Sequence, residues 1–141
     1  MNSFRIQEWN MKRPDYVKSV NVDPETYDSI VEMAKLNNRT IGGQVQAFQL
    51  TNGSYPDTLD EVGYGAHRDP WGNPYQYLNF QDVKGKGKMR KDRFLVPINS
   101  FFDLYSMGKD GKSVSPLTAQ QSQDDIIWAN DGGYVGLGKD F

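Results

Sequence analysis

The sequence contains no cysteine. That excludes disulfides, thiolate metal sites and a cysteine nucleophile, but it does not fix the compartment. Histidine is almost as scarce. His67 stands alone, so one chain cannot build a multi-histidine metal centre. No apolar run approaches the ~20 residues needed to cross a bilayer. Residues 1–22, MNSFRIQEWNMKRPDYVKSVNV, lack the apolar stretch of a signal peptide. Charge of one sign is lacking too. The net value is −2 and the pI is near 5.3, so no nucleic-acid partner is expected on bulk electrostatics. Around His67-Arg68-Asp69 there is no G-x-S-x-G elbow, P-loop or metal-ligand pair. That trio carries no catalytic scheme, and an enzyme is not expected.

What the chain does have is aromatic weight. Eight Tyr, seven Phe and three Trp occur in 141 residues. A core built on rings in one domain follows. Residues 1–22 scatter Phe4, Ile6, Trp9 and Met11 among charges, with Pro14 interrupting. They read as a separate N-terminal segment with room for a short helix, and residues 23–141 as the globular domain. Two accounts of the start stand: a cytosolic chain, or an artificial Met1 in place of a removed targeting segment.

Asp23 is a good N-cap, Pro24 suits the first helical position, and Glu25 favours the positive helix end. Tyr27, Ile30, Val31, Ala34, Ile41, Val45 and Phe48 then recur at steps that share one face. Asn37-Asn38 interrupts this stripe and Gly42-Gly43 weakens the helix. Small glycines also permit close approach of a packed layer. Asn52-Gly53 stops the helix and Pro56 forbids its continuation. A helix of about 28 residues is predicted, stable only with a layer packed along it. Beyond it, residues 51–80 crowd three prolines, four glycines and four tyrosines together. Here a short helical turn at Thr58–Val62 capped by Asp57 is expected, then turns at Asp69-Pro70 and Gly72-Asn73-Pro74. Strand patterns follow at Tyr75–Phe80, Arg93–Ile98, Phe101–Ser106 and Ile126–Ala129. Residues 107–123 read as loop, and the glycine-rich end as turns. One long helix followed by short antiparallel strands makes the fold class α+β.

Three clusters invite a functional reading. Residues 84–93 hold six positive charges and one negative. With glycines and no aromatic among them, they read as a solvated hairpin tip and not as a single-strand binder. Trp71, Tyr75, Tyr77 and Tyr55 suit core packing against the helix better than a carbohydrate platform. Asp110, Asp124 and Asp125 offer hard oxygens, with Lys112, Ser113, Ser115 and the carbonyl of Met107 nearby in sequence. A Ca²⁺ ion takes six to eight such oxygens, and a 17-residue loop needs some brace. The alternative is an ordinary turn at Asp110-Gly111 and a solvated or capping Asp124. The spacing is not that of an EF-hand.

Four motifs in order, TNGSYP, DPWGNPYQY, FDLYSMGKDG and DDIIWAND, resemble the type IV pilin-like proteins. They are most similar to the G-type major pseudopilins of type II secretion. The likeness spans roughly residues 24–131. It implies a long helix packed on a three- or four-stranded antiparallel sheet. It also implies a structural subunit that polymerises into a periplasmic pseudopilus in a Gram-negative bacterium. On the same resemblance, the filament would drive folded exoproteins through the outer membrane, with the work supplied by a separate ATPase. Implied partners are further copies, other pseudopilins and inner-membrane secretion components. An apolar membrane helix, which residues 1–22 do not match, would anchor the subunit. A structural calcium in the C-terminal loop is implied as well, at Met107 (by its carbonyl), Asp110, Asp124 and Asp125, with Ser113 beside them. The alternative within the architecture is a type IV pilin for adhesion, motility or DNA uptake. A cytosolic domain that borrows the fold is a third reading.

Overall fold

Asp23 opens the first helix as its cap: its carboxylate accepts the Thr26 N–H at 2.8 Å. The structure, a computed structural model, describes residues 23–141. The expectations for residues 1–22 lie outside the described residues. Helix α1 runs Pro24–Asn52, 29 residues, with Pro24 in its first turn. It ends where Gly53 adopts φ +82° and donates its N–H to the Gln49 carbonyl at 2.8 Å. That left-handed turn suits glycine. No helix of the described residues is long and apolar enough to cross a membrane.

Four strands follow among the described residues: β1 (Gln76–Asn79), β2 (Phe102–Ser106), β3 (Ile126–Ala129) and β4 (Tyr134–Leu137). They form one antiparallel sheet in the order β1-β2-β3-β4. The α+β architecture of a long helix on a small antiparallel sheet is therefore what the chain adopts. Alternation decides which side chains meet α1. Ile126 and Trp128 of β3 face the helix with Phe102, Leu104 and Val135, against Ile30, Ala34, Ile41 and Val45. Ile127 and Ala129 face away, under Ile98 and Leu117. The loops around residues 90–98 and 112–119 thus cover the second face of the sheet. Asn38, read as a break in the apolar stripe, is fully buried on the helix's inner face. Its amide donates to the carbonyls of Leu104 and Ile126, both at 3.4 Å. It serves two strands at once instead of interrupting the packing.

Several expectations need correction. Arg93–Ile98 is not a strand. The Asp92 carboxylate accepts the N–H groups of Phe94 and Val96 at 2.8 and 3.1 Å and winds the chain into a loop, with Leu95 at φ +61°. A local side-chain acceptor outcompetes the ladder here, and Pro97 has no N–H to give it. The glycine-rich end is not all turn, because Tyr134–Leu137 pairs along β3. The turn after α1 is a 3₁₀ helix at Leu59–Val62 with Thr58, not Asp57, at its cap. Asp57 instead donates its own N–H to the Glu61 carboxylate. The basic run forms no hairpin. Lys84, Lys86 and Lys88 are exposed, but Arg90 lies over the Tyr105 ring at 4.3 Å and gives its N–H to Asp103 at 2.7 Å.

Candidate metal centre

The site is built outward from the turn that follows α1. Asp69 is fully buried, and its Oδ1 accepts the N–H groups of Trp71 and Asn73 at 3.1 and 2.8 Å. Its Oδ2 accepts the hydroxyl of Ser106 at 2.5 Å. Ser106 Oγ in turn accepts the Gly108 N–H at 3.1 Å, and the Asn73 amide donates to the Gly108 carbonyl at 3.1 Å. The DPWGN turn therefore grips the end of β2 and fixes the chain as it enters the acidic loop. Trp71, buried against the first turns of α1, anchors the turn from behind. Gly108 sits at φ +68°, where a Cβ would lie 2.3 Å from the Asp124 carbonyl oxygen. A larger residue there would push the two arms of the loop apart.

Those arms bring Asp110, Asp124 and Asp125 together. Each offers a carboxylate oxygen, and the three oxygens lie within 4.8 Å of one another. The Asp124 Oδ2 accepts the Asp110 N–H at 3.0 Å, and the Asp110 Oδ1 accepts the Lys112 N–H at 2.9 Å. Ser113 Oγ donates to the Oδ2 of fully buried Asp125. The Oδ1 atoms of Asp124 and Asp125 are buried with no hydrogen-bond partner. Burial, with neighbouring carboxylates, pushes Asp125 up to about 8 and Asp124 up to about 6. Among the described residues no lysine or arginine forms an ion pair with any of the three. Two unpartnered buried carboxylate oxygens beside a third acid fit a hard divalent cation, which supplies the missing charge and takes up the orphaned lone pairs.

The structure sorts the remaining sequence candidates. Ser113 is at the cluster. Ser115 is not, since its hydroxyl donates to the Met89 carbonyl at 2.7 Å and accepts from the Lys91 ammonium at 2.9 Å. Met107 lies between the braced residues Ser106 and Gly108, and no hydrogen bond ties it to the three carboxylates. Asp69 and Asn73 were read from the sequence only as turn residues and Ser106 only as the end of a strand, none of them as part of this site. Their signal was the pairing of an acidic turn with a small hydroxyl residue two places before a glycine. Removing the Ser106 hydroxyl strips Asp69 of one donor and Gly108 of its acceptor. Ser106→Ala is expected to cost about 1.5 kcal/mol, measured by urea unfolding. An unchanged midpoint would show that the brace is idle.

Neither a family model nor a solved structure matches the chain. The curated Type II secretion system core protein G of Pseudomonas aeruginosa does: it is 32% identical over 111 residues, which cover 72% of this chain and 67% of that relative. The chain belongs to the type II secretion core protein G family. In this chain the other sequence candidates turn out to be structural. Trp71 and Tyr75 are buried, and the Tyr77 hydroxyl donates to the Pro56 carbonyl at 2.7 Å. Tyr55 stacks on Phe101 with ring centroids 5.5 Å apart. These rings join helix to sheet, as core packing requires. His67 is wedged between Tyr64 and Tyr75, and burial lowers its pKa.

Proposed function

We propose that this protein is a pseudopilin, a structural subunit that polymerises into a periplasmic pseudopilus and drives exoproteins through the outer membrane in type II secretion. The observation that carries this reading is the 32% identity to a type II secretion core protein G, spread over 111 residues. The architecture supports it. A 29-residue helix serves as a spine and a small sheet is laid on it, a shape that stacks. The role is structural rather than catalytic. Other pseudopilins and inner-membrane secretion components are its partners, and an apolar segment anchors the native subunit to the inner membrane.

Calcium belongs to the same proposal. Asp110, Asp124 and Asp125 would hold it, with Ser113 steadying Asp125 and the Met107 carbonyl completing the set. A bound ion there would neutralise three clustered acids, and its ligands would tie the long loop after β2 to the start of β3.

Deleting the gene in its host is the direct test. Type II cargo is expected to vanish from the medium and to accumulate in the periplasm, with recovery when the full-length gene returns. Normal secretion combined with lost surface pili, twitching or DNA uptake would overturn the assignment in favour of a type IV pilin.

A further inference from the structure

The subunit carries apolar surface on two opposite sides. On one side is the tip of the loop after β1. Phe94, Leu95 and Val96 are 71%, 64% and 53% exposed in succession. This tip is held firmly. The Asp92 carboxylate accepts two N–H groups from it, the Asp92 N–H donates to the Val96 carbonyl at 2.9 Å, and the Leu95 N–H donates to the Asp92 carbonyl at 3.0 Å. Leu95 sits in the left-handed region at φ +61°, which a leucine adopts only when its surroundings insist. The loop bearing the tip covers the sheet face turned away from α1. On the other side, the outer face of α1 presents Asp28, Glu32 and Leu36 at four-residue steps, all exposed, with Leu36 at 64%. Residues at that spacing line up along one helix face.

The charges beside the two patches are complementary. Arg93 adjoins Phe94 and lies over its ring at 4.8 Å. Neither Arg93 nor Asp28 has an ion-pair partner among the described residues, while Glu32 is paired with half-buried Lys35 at 3.0 Å. A cation next to an apolar knob thus faces two acids next to an apolar helix position.

We infer that the Phe94-Leu95-Val96 tip of one subunit docks on the outer face of α1 of a second copy, around Leu36, with Arg93 meeting Asp28 and Glu32. The inference rests on the pseudopilus reading and names one of its contacts. Two different patches on opposite sides make a heterologous contact, and such contacts propagate into open filaments instead of closing as dimers. A symmetric contact of tip on tip would set Arg93 against Arg93.

The absence of native cysteine makes the test clean. Leu36→Cys and Phe94→Cys are placed together in the full-length chain, in the secreting host, and oxidised. A ladder of dimers, trimers and higher species is expected, with each single variant stopping at background dimer. Arg93→Glu should reduce the ladder several-fold, and adding Asp28→Arg should restore it. Filaments that form while the 36–94 pair yields no ladder overturn this contact and leave the pseudopilus reading standing. Efficient dimer from Phe94→Cys alone overturns it too, by showing a symmetric interface. If the unmodified protein forms no filaments at all, the pseudopilus reading falls and this contact with it.

Discussion

Gly42→Ala is expected to destabilise the domain by about 3 kcal/mol, and Gly43→Ala, one residue on, to stabilise it by about 1 kcal/mol. The opposite signs come from what each α-carbon faces. Gly42 is buried under the sheet, and a Cβ there would lie 2.1, 2.4 and 2.6 Å from ring carbons of Trp128. Trp128 cannot retreat freely. It is buried and stacked on Phe102, with centroids 5.6 Å apart, and packs with Ile41 and Val45. A displaced indole would push β3 off the helix along the seam that holds the two layers together. Gly43 points outward, with nothing within 4 Å of its Cβ position. There the methyl adds only the helix propensity that glycine lacks. Urea unfolding of both variants reads the difference as midpoints displaced in opposite directions. Displacement in the same direction would mean that α1 does not approach the sheet as described, and the fold would need revision.

The same residues show why some of the structure was legible in the sequence and some was not. Helix α1 was legible because its signals are local. Asp23-Pro24 opens it, Asn52-Gly53 closes it, and the apolar spacing between them has the helical period. Strands β1 to β3 carry enough alternation or apolar density to stand out. β4 does not, because Gly136 interrupts its side-chain pattern. It exists by pairing with β3, and that pairing is a tertiary fact. Arg93–Ile98 failed for the opposite reason: it has a strand-like composition, but the single carboxylate of Asp92 captures its backbone. The acidic site was half legible. Asp110, Asp124 and Asp125 were found, but spacing alone left an ordinary turn as the alternative. What brings them together is the Asp69–Ser106–Gly108 brace, which joins residues 37 positions apart in sequence. No periodicity or local motif encodes such a contact.

Calcium at about 10 mM is expected to raise the stability of the domain by about 1.4–2.7 kcal/mol, as follows from an affinity typical of extracellular sites. For a domain of this size that is a rise in Tm of roughly 5–10 °C, seen by comparing thermal melts in calcium and in chelator. The pH dependence has a definite sign. Asp124 and Asp125 are raised from 3.8 to about 6 and about 8 by burial in the metal-free protein. A carboxylate raised on folding binds its proton more tightly in the folded state. Its contribution therefore weakens stability as pH climbs from about 4 to about 8. Calcium needs the ionised carboxylates, so its benefit grows over the same window. The gap between the calcium and chelator melts should be wide at pH 8 and nearly closed at pH 5. Asp125→Asn separates the ion from mere electrostatic relief. It keeps an oxygen for the Ser113 hydroxyl but removes the buried charge. In chelator the variant should equal or exceed the parent, because an uncompensated buried charge is gone, and in calcium it should gain nothing. Identical melts of the parent with and without calcium at pH 8 would remove the ion from this loop. The three acids would then persist through shared protons and the Ser113 hydrogen bond alone.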